Sequence, residues 1–352
     1  MQTSTDLRVS GKASETALKM LSDFFRVPHI IVIVSHQNPD GDAVGSALGM
    51  QWILTGIGQD VTVALPDDSP SFLKWLPGHR KILVHEKKSG KKQLPEIFSS
   101  ADLIMCMDFN APDRLNSMEQ FLTQRKAPVL LIDHHPRQEC FADYFWIDET
   151  KGSTSELVYQ FLLRMGLTGY ITPDAATCLL AGIMTDTVGF KVNCTYPEVF
   201  EVVAGLLKYG ADKDMIYNEI YSMFSVNRMR LLGYSLEKNM VILPDYKTAY
   251  IALTREELNR FAHRKGDTEG FVNYPLSIGG IDFSVLFTEQ EDHIKLSLRS
   301  KGTFPANDFA NRYFNGGGHM NAAGGRFYGT MPDALNHFKT VLNDYKPVLE
   351  ES

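Results

Sequence analysis

Four short apolar runs, His29 to Val34, Val61 to Leu65, Leu103 to Met107 and Val129 to Ile132, most constrain what this chain can fold into. Each has the length of a buried strand. Helix-patterned stretches such as Ala43 to Thr55 lie between several of them, and Ser14 to Phe25 precedes the first with Ala17, Leu18, Leu21, Phe24 and Phe25 at helical spacing. Strands alternating with helices predict an α/β fold, a parallel sheet flanked by helices.

Polar, ionisable residues follow three of the runs directly: Ser35-His36 after the first, Asp108 after the third, and Asp133-His134-His135 after the fourth. Ligands of open parallel sheets bind beyond the carboxyl ends of the strands, so three strand ends deliver chemistry to one edge. The first belongs to a dense segment, Ser35-His36-Gln37-Asn38-Pro39-Asp40-Gly41-Asp42-Ala43-Val44-Gly45-Ser46, at a strand-to-helix turn where Asp40 and Asp42 can face two different cations. Taken alone, an Asp-Gly-Asp is an ordinary turn or helix cap, and Asp108 reads as an N-cap. A further carboxylate, Asp186, ends the mostly apolar stretch Ala175 to Met184, and a buried acid there needs a partner.

Collected, these histidines and aspartates suffice for two divalent ions sharing one carboxylate. Mixed imidazole and carboxylate ligation suits Mn²⁺ first and also Mg²⁺, Co²⁺ or Zn²⁺. Two ions about 3.5 to 4 Å apart clamp a phosphoryl group and activate water, so the chemistry implied is phosphoester hydrolysis.

The chain's 352 residues make about two domains at roughly 150 residues each. Beyond a helical stretch over 212–240, Thr248 to Leu253, Asp282 to Thr288 and His293 to Leu298 read as strands, the last two joined by the turn Glu289 to Asp292. This predicts a catalytic domain over 1–211, a helical linker over 212–240 and a smaller α+β domain over 241–352. The balance of 35 Lys and Arg against 42 Asp and Glu gives a net charge of −7, which disfavours long polyanions. Cys106, Cys140, Cys178 and Cys194 are scattered without a C-x-x-C pair, which fits a reducing cytosol rather than a disulfide framework. Neither a signal peptide nor an apolar run of spanning length is readable, so a cytoplasmic protein without membrane attachment is expected. The lysine-rich run Lys87-Lys88-Ser89-Gly90-Lys91-Lys92 reads as a solvated loop.

The motifs His36-x-x-Pro39-Asp40-x-Asp42-Ala43-x-Gly45-Ser46, Asp108, Asp133-His134-His135 and Asp186, in this order, resemble the DHH phosphoesterase superfamily. Asn315-Gly316-Gly317-Gly318-His319-Met320-Asn321-Ala322-Ala323-Gly324-Gly325 resembles the glycine-rich signature of the DHH-associated domain, so the likeness spans nearly the whole chain. Its length and domain pairing are similar to the bacterial branch that degrades oligoribonucleotides and dephosphorylates 3′-phosphoadenosine 5′-phosphate (pAp).

That resemblance implies that His36 and Asp40 ligate one metal, that Asp42, His134 and Asp186 ligate the other, and that Asp108 bridges both. It implies that Asp133 orients His134 and that His135 contacts the scissile phosphate, which makes Asp133 and His135 the catalytic pair. Arg299 and Ser300 at a strand end, Gly316, Gly317 and Gly318 as a phosphate cradle, and His319 with Asn321 on sugar or base would form the substrate grip. The family often carries glycine after Thr-Asp-Thr, where this chain has Val188 before Gly189.

The implied activity is metal-dependent cleavage of short single-stranded RNA to mononucleotides and of pAp to AMP, and a site split between two domains would measure substrate length. A homodimer is the default assembly. The alternatives are a cyclic or linear dinucleotide phosphodiesterase and a non-catalytic nucleotide- or RNA-binding module. A pyrophosphatase is disfavoured because that branch carries a different second-domain signature.

Overall fold

A computed structural model describes residues 8–9, 12–136, 139–222, 224–264 and 266–345. It divides into two compact units, Met1–Met223 and Phe224–Ser352.

The first unit carries strands β1 (Arg8–Val9), β2 (Lys12–Ala13), β3 (Ile30–Ser35), β4 (Asp60–Leu65), β5 (Leu83–Val84), β6 (Leu103–Met107), β7 (Val129–Asp133) and β8 (Tyr144–Ile147). Its helices are α1 (Glu15–Phe24), α2 (Gly41–Gly56), α3 (Lys88–Ser100), α4 (Glu119–Thr123), α5 (Thr154–Arg164), α6 (Pro173–Asp186), α7 (Pro197–Lys208) and α8 (Lys213–Tyr217). The strands form one sheet in the order β2-β1-β8-β7-β6-β3-β4-β5. The six from β8 to β5 run parallel, and β1 and β2 add an antiparallel edge.

Both faces of the sheet are covered, which explains the continuous apolar runs. Ile31 and Ile33 enter one core with Met105 and Ile132, while Val32 and Val34 enter another with Ile104, Cys106 and Leu131. The chain proceeds from β3 outward through β4 and β5, then returns to place β6 on the other side of β3. That reversal opens a crevice at the carboxyl ends of β3 and β6, where His36 and Asp108 follow.

Helix α2 is apolar on nearly every side because the sheet and α6 enclose it. A Cβ at Gly45 would lie 2.5 Å from the Cys178 carbonyl, and one at Gly182 would lie 2.7 Å from the Asp42 carboxylate. Only glycine permits this approach, and it brings the start of α2 against the end of α6. The lysine-rich run, expected as a loop, instead opens α3, with Lys87 as its N-cap residue. Gly90 is buried there, so the segment is anchored despite its charge.

The second unit contains α9 (Val226–Tyr234), β9 (Met240–Leu243), β10 (Thr248–Leu253), α10 (Arg255–Arg260), β11 (Phe283–Glu289), β12 (Ile294–Ser300), α11 (Ala306–Tyr313), β13 (Gly317–His319), β14 (Ala322–Phe327) and α12 (Met331–Leu342). Its sheet runs β13-β14-β12-β11-β10-β9, parallel only between β10 and β11. Phe283, Phe287, Phe304, Phe309, Phe314 and Phe338 fill one core, and Leu231, Ile251, Leu253, Phe271 and Leu286 another. The segment 212–240 is largely helical, with α8 in the first unit, α9 in the second and π-helical turns at Asn218–Ser222 and Ser235–Asn239. Met223 lies outside the described residues.

Candidate metal centre

Three strand ends and two helix ends of the first unit build one cluster. Asp40 is the N-cap of α2, its carboxylate accepting from the backbone N–H groups of Asp42 and Ala43 at 3.0 and 3.1 Å. This cap reading, available for any Asp-Gly-Asp, holds here alongside a second role: the free face of Asp40 lies 3.9 Å from His36 Nε2. His36 is buried, with Nδ1 facing the Gln37 carbonyl at 2.8 Å, so Nε2 is the nitrogen turned toward the carboxylates.

Asp108 sits at φ 67° directly after β6. That left-handed conformation, which Asp tolerates better than most residues, turns the buried carboxylate into the crevice. Its Oδ2 lies 3.5 Å from His36 Nε2, and its Oδ1 lies 3.5 Å from His134 Nε2. His134 Nε2 is also 3.3 Å from Asp186 Oδ2. The donor atoms of His36, Asp40 and Asp108 form one group with mutual spacing within 4.8 Å, and those of Asp42, His134 and Asp186 form another. A single carboxylate thus presents one oxygen to an imidazole of each group.

Electrostatics in this crevice are severe. Burial holds Asp108 well above the usual carboxylate range, and the charges of Asp42, Asp40 and Asp186 add to the effect. Burial and the Asp42 charge push Asp186 up to about 7. His134 goes the other way: burial opposes its charged ring, yet Asp186, Asp108 and Asp42 hold it well above the ordinary histidine value. Crowded carboxylates facing imidazole nitrogens fit divalent cations, whose charge removes this repulsion.

One expected role is corrected. Where Asp133 was expected to orient His134, its Oδ1 lies 2.8 Å from His135 Nδ1. The partner of His134 Nδ1 is the backbone carbonyl of Lys151 at 3.1 Å. Adjacent side chains at a strand end point in different directions, so Asp133 reaches the residue two positions on rather than its neighbour. His135 Nδ1 also lies 3.7 Å from Asp108 Oδ1.

Sequence reading missed the start of α5. The backbone N–H groups of Thr154 and Ser155 donate to the two Asp42 oxygens at 2.5 and 2.9 Å, and the Thr154 hydroxyl donates to Asp108 Oδ1 at 3.0 Å. A helix N-terminus thus holds an aspartate of the cluster in place. Ser153 caps the helix by accepting from Glu156 N–H at 3.1 Å. The available signal was Ser153-x-x-Glu156, the spacing of a capping box. Glu156 accepts from the Tyr196 hydroxyl at 2.6 Å, beneath the Lys151 segment that carries the carbonyl for His134.

In the second unit, Arg299 of β12 and His319 of β13 both pair with Ala322 of β14. Directly opposed residues share a sheet face, so the guanidinium and the imidazole belong to one face about two strand spacings, roughly 9.5 Å, apart. Ser300 and Asn321 are engaged in the backbone frame: Ser300 Oγ donates to the Phe304 carbonyl at 2.7 Å, and Asn321 Nδ2 donates to Ser300 Oγ at 2.9 Å and to the Gly302 carbonyl at 3.1 Å. At Gly316 a Cβ would collide with the Gly324 carbonyl, and at Gly318, φ 139°, it would lie 2.6 Å from the Ala322 carbonyl. Sheet packing alone therefore requires glycine at both positions. Gly317 has open space above it.

Comparison with known proteins gives the family. The model of the DHH family N-terminal domain matches residues 30–183, and that of the DHHA1 domain matches residues 248–346. The bifunctional oligoribonuclease and PAP phosphatase NrnA of Bacillus subtilis is 28% identical over 302 residues, 85% of this chain and 89% of the relative. Its namesake from Thermus thermophilus is 29% identical over 85% of this chain and 84% of its own. The crystal structure of an exopolyphosphatase-related protein from Bacteroides fragilis is 42% identical, covers 96% of this chain and 98% of its own, and superposes with a TM-score of 0.91. Among the described residues, no helix is long and apolar enough to cross a membrane.

Proposed function

We propose that this chain, which belongs to the DHH family and is a phosphoesterase of the hydrolase class, trims short single-stranded RNA to mononucleotides and converts pAp to AMP and phosphate. The observation that carries this reading is Asp108, its two oxygens facing His36 in one ligand group and His134 in the other. The names of the two relatives supply the substrate classes.

His36, Asp40 and Asp108 would hold one divalent ion, and Asp42, His134, Asp186 and Asp108 the other. Mn²⁺ suits this donor set, as do Mg²⁺ and Co²⁺. When bound, two such ions supply Lewis-acid charge at the phosphoryl group and lower the pKa of water.

The chain's own residues do the remaining work. Thr154 and Ser155 fix both Asp42 oxygens, and the Lys151 carbonyl fixes the ring of His134. Asp133 accepts from His135 Nδ1–H, which leaves Nε2 to face the phosphate. As water adds to phosphorus and the bond to the departing ribose oxygen breaks, a phosphate-facing imidazole stabilises the charge gathering on the phosphoryl oxygens. In the second unit, Arg299 and His319 share a face suited to a nucleotide's phosphate and sugar, with Gly317 leaving room for close approach and Ser300 and Asn321 holding the neighbouring loop.

Asp108→Ala tests the assignment. The variant keeps its fold by circular dichroism and loses turnover of RNA dinucleotides and pAp alike; turnover within ten-fold of the parent rejects the bridging role.

A further inference from the structure

A second polar hollow opens beyond the end of β4, one strand over from His36. It has a volume of about 210 Å³ and is lined by Asp68, Ser69, Lys74, His79, Arg80 and Lys87 among others. That is several times the roughly 30 Å³ a water occupies in the liquid, and is room for a phosphate group.

Its charge is unbalanced. Lys74 Nζ and Lys87 Nζ both lie 3.1 Å from the same Asp68 Oδ2, so two ammonium groups meet one carboxylate. Arg80, at an exposed position, adds a third cation to the lining. Ser69 Oγ lies 2.6 Å from His79 Nε2. Burial works against protonation of His79; the Asp68 charge opposes it, and the smaller effects of Lys74 and Lys87 reinforce it. Three cations around one anion, with a hydroxyl and an imidazole on the wall, form a ready anion site in a chain whose net charge is −7.

The hollow is tied to the metal cluster through the backbone. β3 and β4 are adjacent parallel strands, so their following loops leave the same sheet edge. Asp67 Oδ1 accepts the N–H of Asn38 at 2.7 Å, two residues before Asp40.

We propose that this hollow binds a phosphate group. An internucleotide phosphate of an RNA longer than a dinucleotide is one source, and it rests on the phosphoester reading above; orthophosphate released by the enzyme is the other. The Lys87 end of the lysine-rich run is then part of a binding wall, whereas Lys88, Lys91 and Lys92 extend along α3 outside it.

Two variants test this, Arg80→Ala, at an exposed position, and Lys87→Gln, which leaves Lys74 on Asp68. The first arm compares KM and kcat for a tetranucleotide, a dinucleotide and pAp. The second titrates orthophosphate against the thermal midpoint in the presence of chelator, so that no metal recruits the anion and no turnover is needed. Expected is a rise in tetranucleotide KM of roughly five- to ten-fold in each variant, with dinucleotide and pAp within two-fold of the parent. Loss of orthophosphate protection in the variants, with all RNA kinetics unchanged, assigns the hollow to free phosphate and supports the proposal through its second source. The proposal is overturned if the parent shows no orthophosphate protection and the variants leave the tetranucleotide unchanged, or if all three substrates weaken alike. A parent that cleaves no RNA or pAp refutes the proposed substrates, and the orthophosphate arm still decides the hollow.

Discussion

Asp133 Oδ1 and His135 Nδ1 form a 2.8 Å pair at the end of β7, with Asp133 fully buried and His135 one-fifth exposed. The buried carboxylate fixes the tautomer and ring plane of the more accessible imidazole, and His134 is fixed independently by the Lys151 carbonyl. Asp133→Asn should therefore lower kcat by about 10- to 100-fold, the usual effect of losing such a partner, with little change in Mn²⁺ affinity. Equal losses in kcat and in metal affinity would return Asp133 to His134.

A divalent ion held by this cluster would also stabilise the fold. Asp40, Asp42, Asp108 and Asp186 converge on one crevice, where burial first and their mutual charges second raise both Asp108 and Asp186. Mn²⁺ should raise the thermal midpoint, by about 2.7 kcal/mol of stability at a hundred-fold excess over Kd, and chelation should reverse the shift. An unchanged midpoint would mean that the cluster holds no ion.

Glu156 gives a pH signature separable from the ligands. Burial raises it, opposed by the Tyr196 hydroxyl, the Lys151 charge and the Gly152 N–H. A carboxyl raised on folding contributes stability that is complete below the unfolded value of about 4.3 and is lost as pH climbs through the folded value. Glu156→Gln keeps an oxygen for Tyr196 but has no proton to lose. Its midpoint, relative to the parent, should therefore improve as pH rises through that window, and a pH-independent difference would contradict the assignment.

Val188 follows Asp186 and Thr187 in the left-handed region, at φ 50°, ahead of Gly189 at φ 67° and Phe190 at φ 69°. A β-branched residue is strained there, by about 1–2 kcal/mol, whereas glycine is not. Val188→Gly gives back roughly 0.5–1 kcal/mol in chain entropy, so denaturant unfolding should show a neutral to slightly stabilised protein. Destabilisation beyond about 1 kcal/mol would show that the valine side chain contributes packing that offsets its backbone.

The parallel sheet was legible because Ile31 to Val34 and Leu103 to Met107 are buried on both faces, which leaves an uninterrupted apolar record in the sequence. Strand β8 was missed because Tyr144–Ile147 is short and aromatic, and β13 because Gly317-Gly318-His319 has no strand composition. Most aspartates and histidines of the cluster stood out through their position after strands, and Asp186 through the apolar stretch that it ends. Thr154 and Ser155 did not, because they hold Asp42 through backbone N–H groups that every residue owns. Asp133 was given the wrong histidine because chain adjacency says nothing about side-chain direction at a strand end. The glycines at 316 and 318 suggested an anion cradle, yet the carbonyls of Gly324 and Ala322 already exclude any side chain there.

The most direct measurement is parallel release of mononucleotide and phosphate from a labelled RNA ladder starting at the dinucleotide, from pAp and from pyrophosphate, with Mn²⁺ and after chelation. Metal-dependent turnover of pAp and of RNA, favouring the shortest oligomers, is the predicted result. Turnover of pyrophosphate alone, of a cyclic dinucleotide added to the same panel alone, or of nothing at all would contradict it.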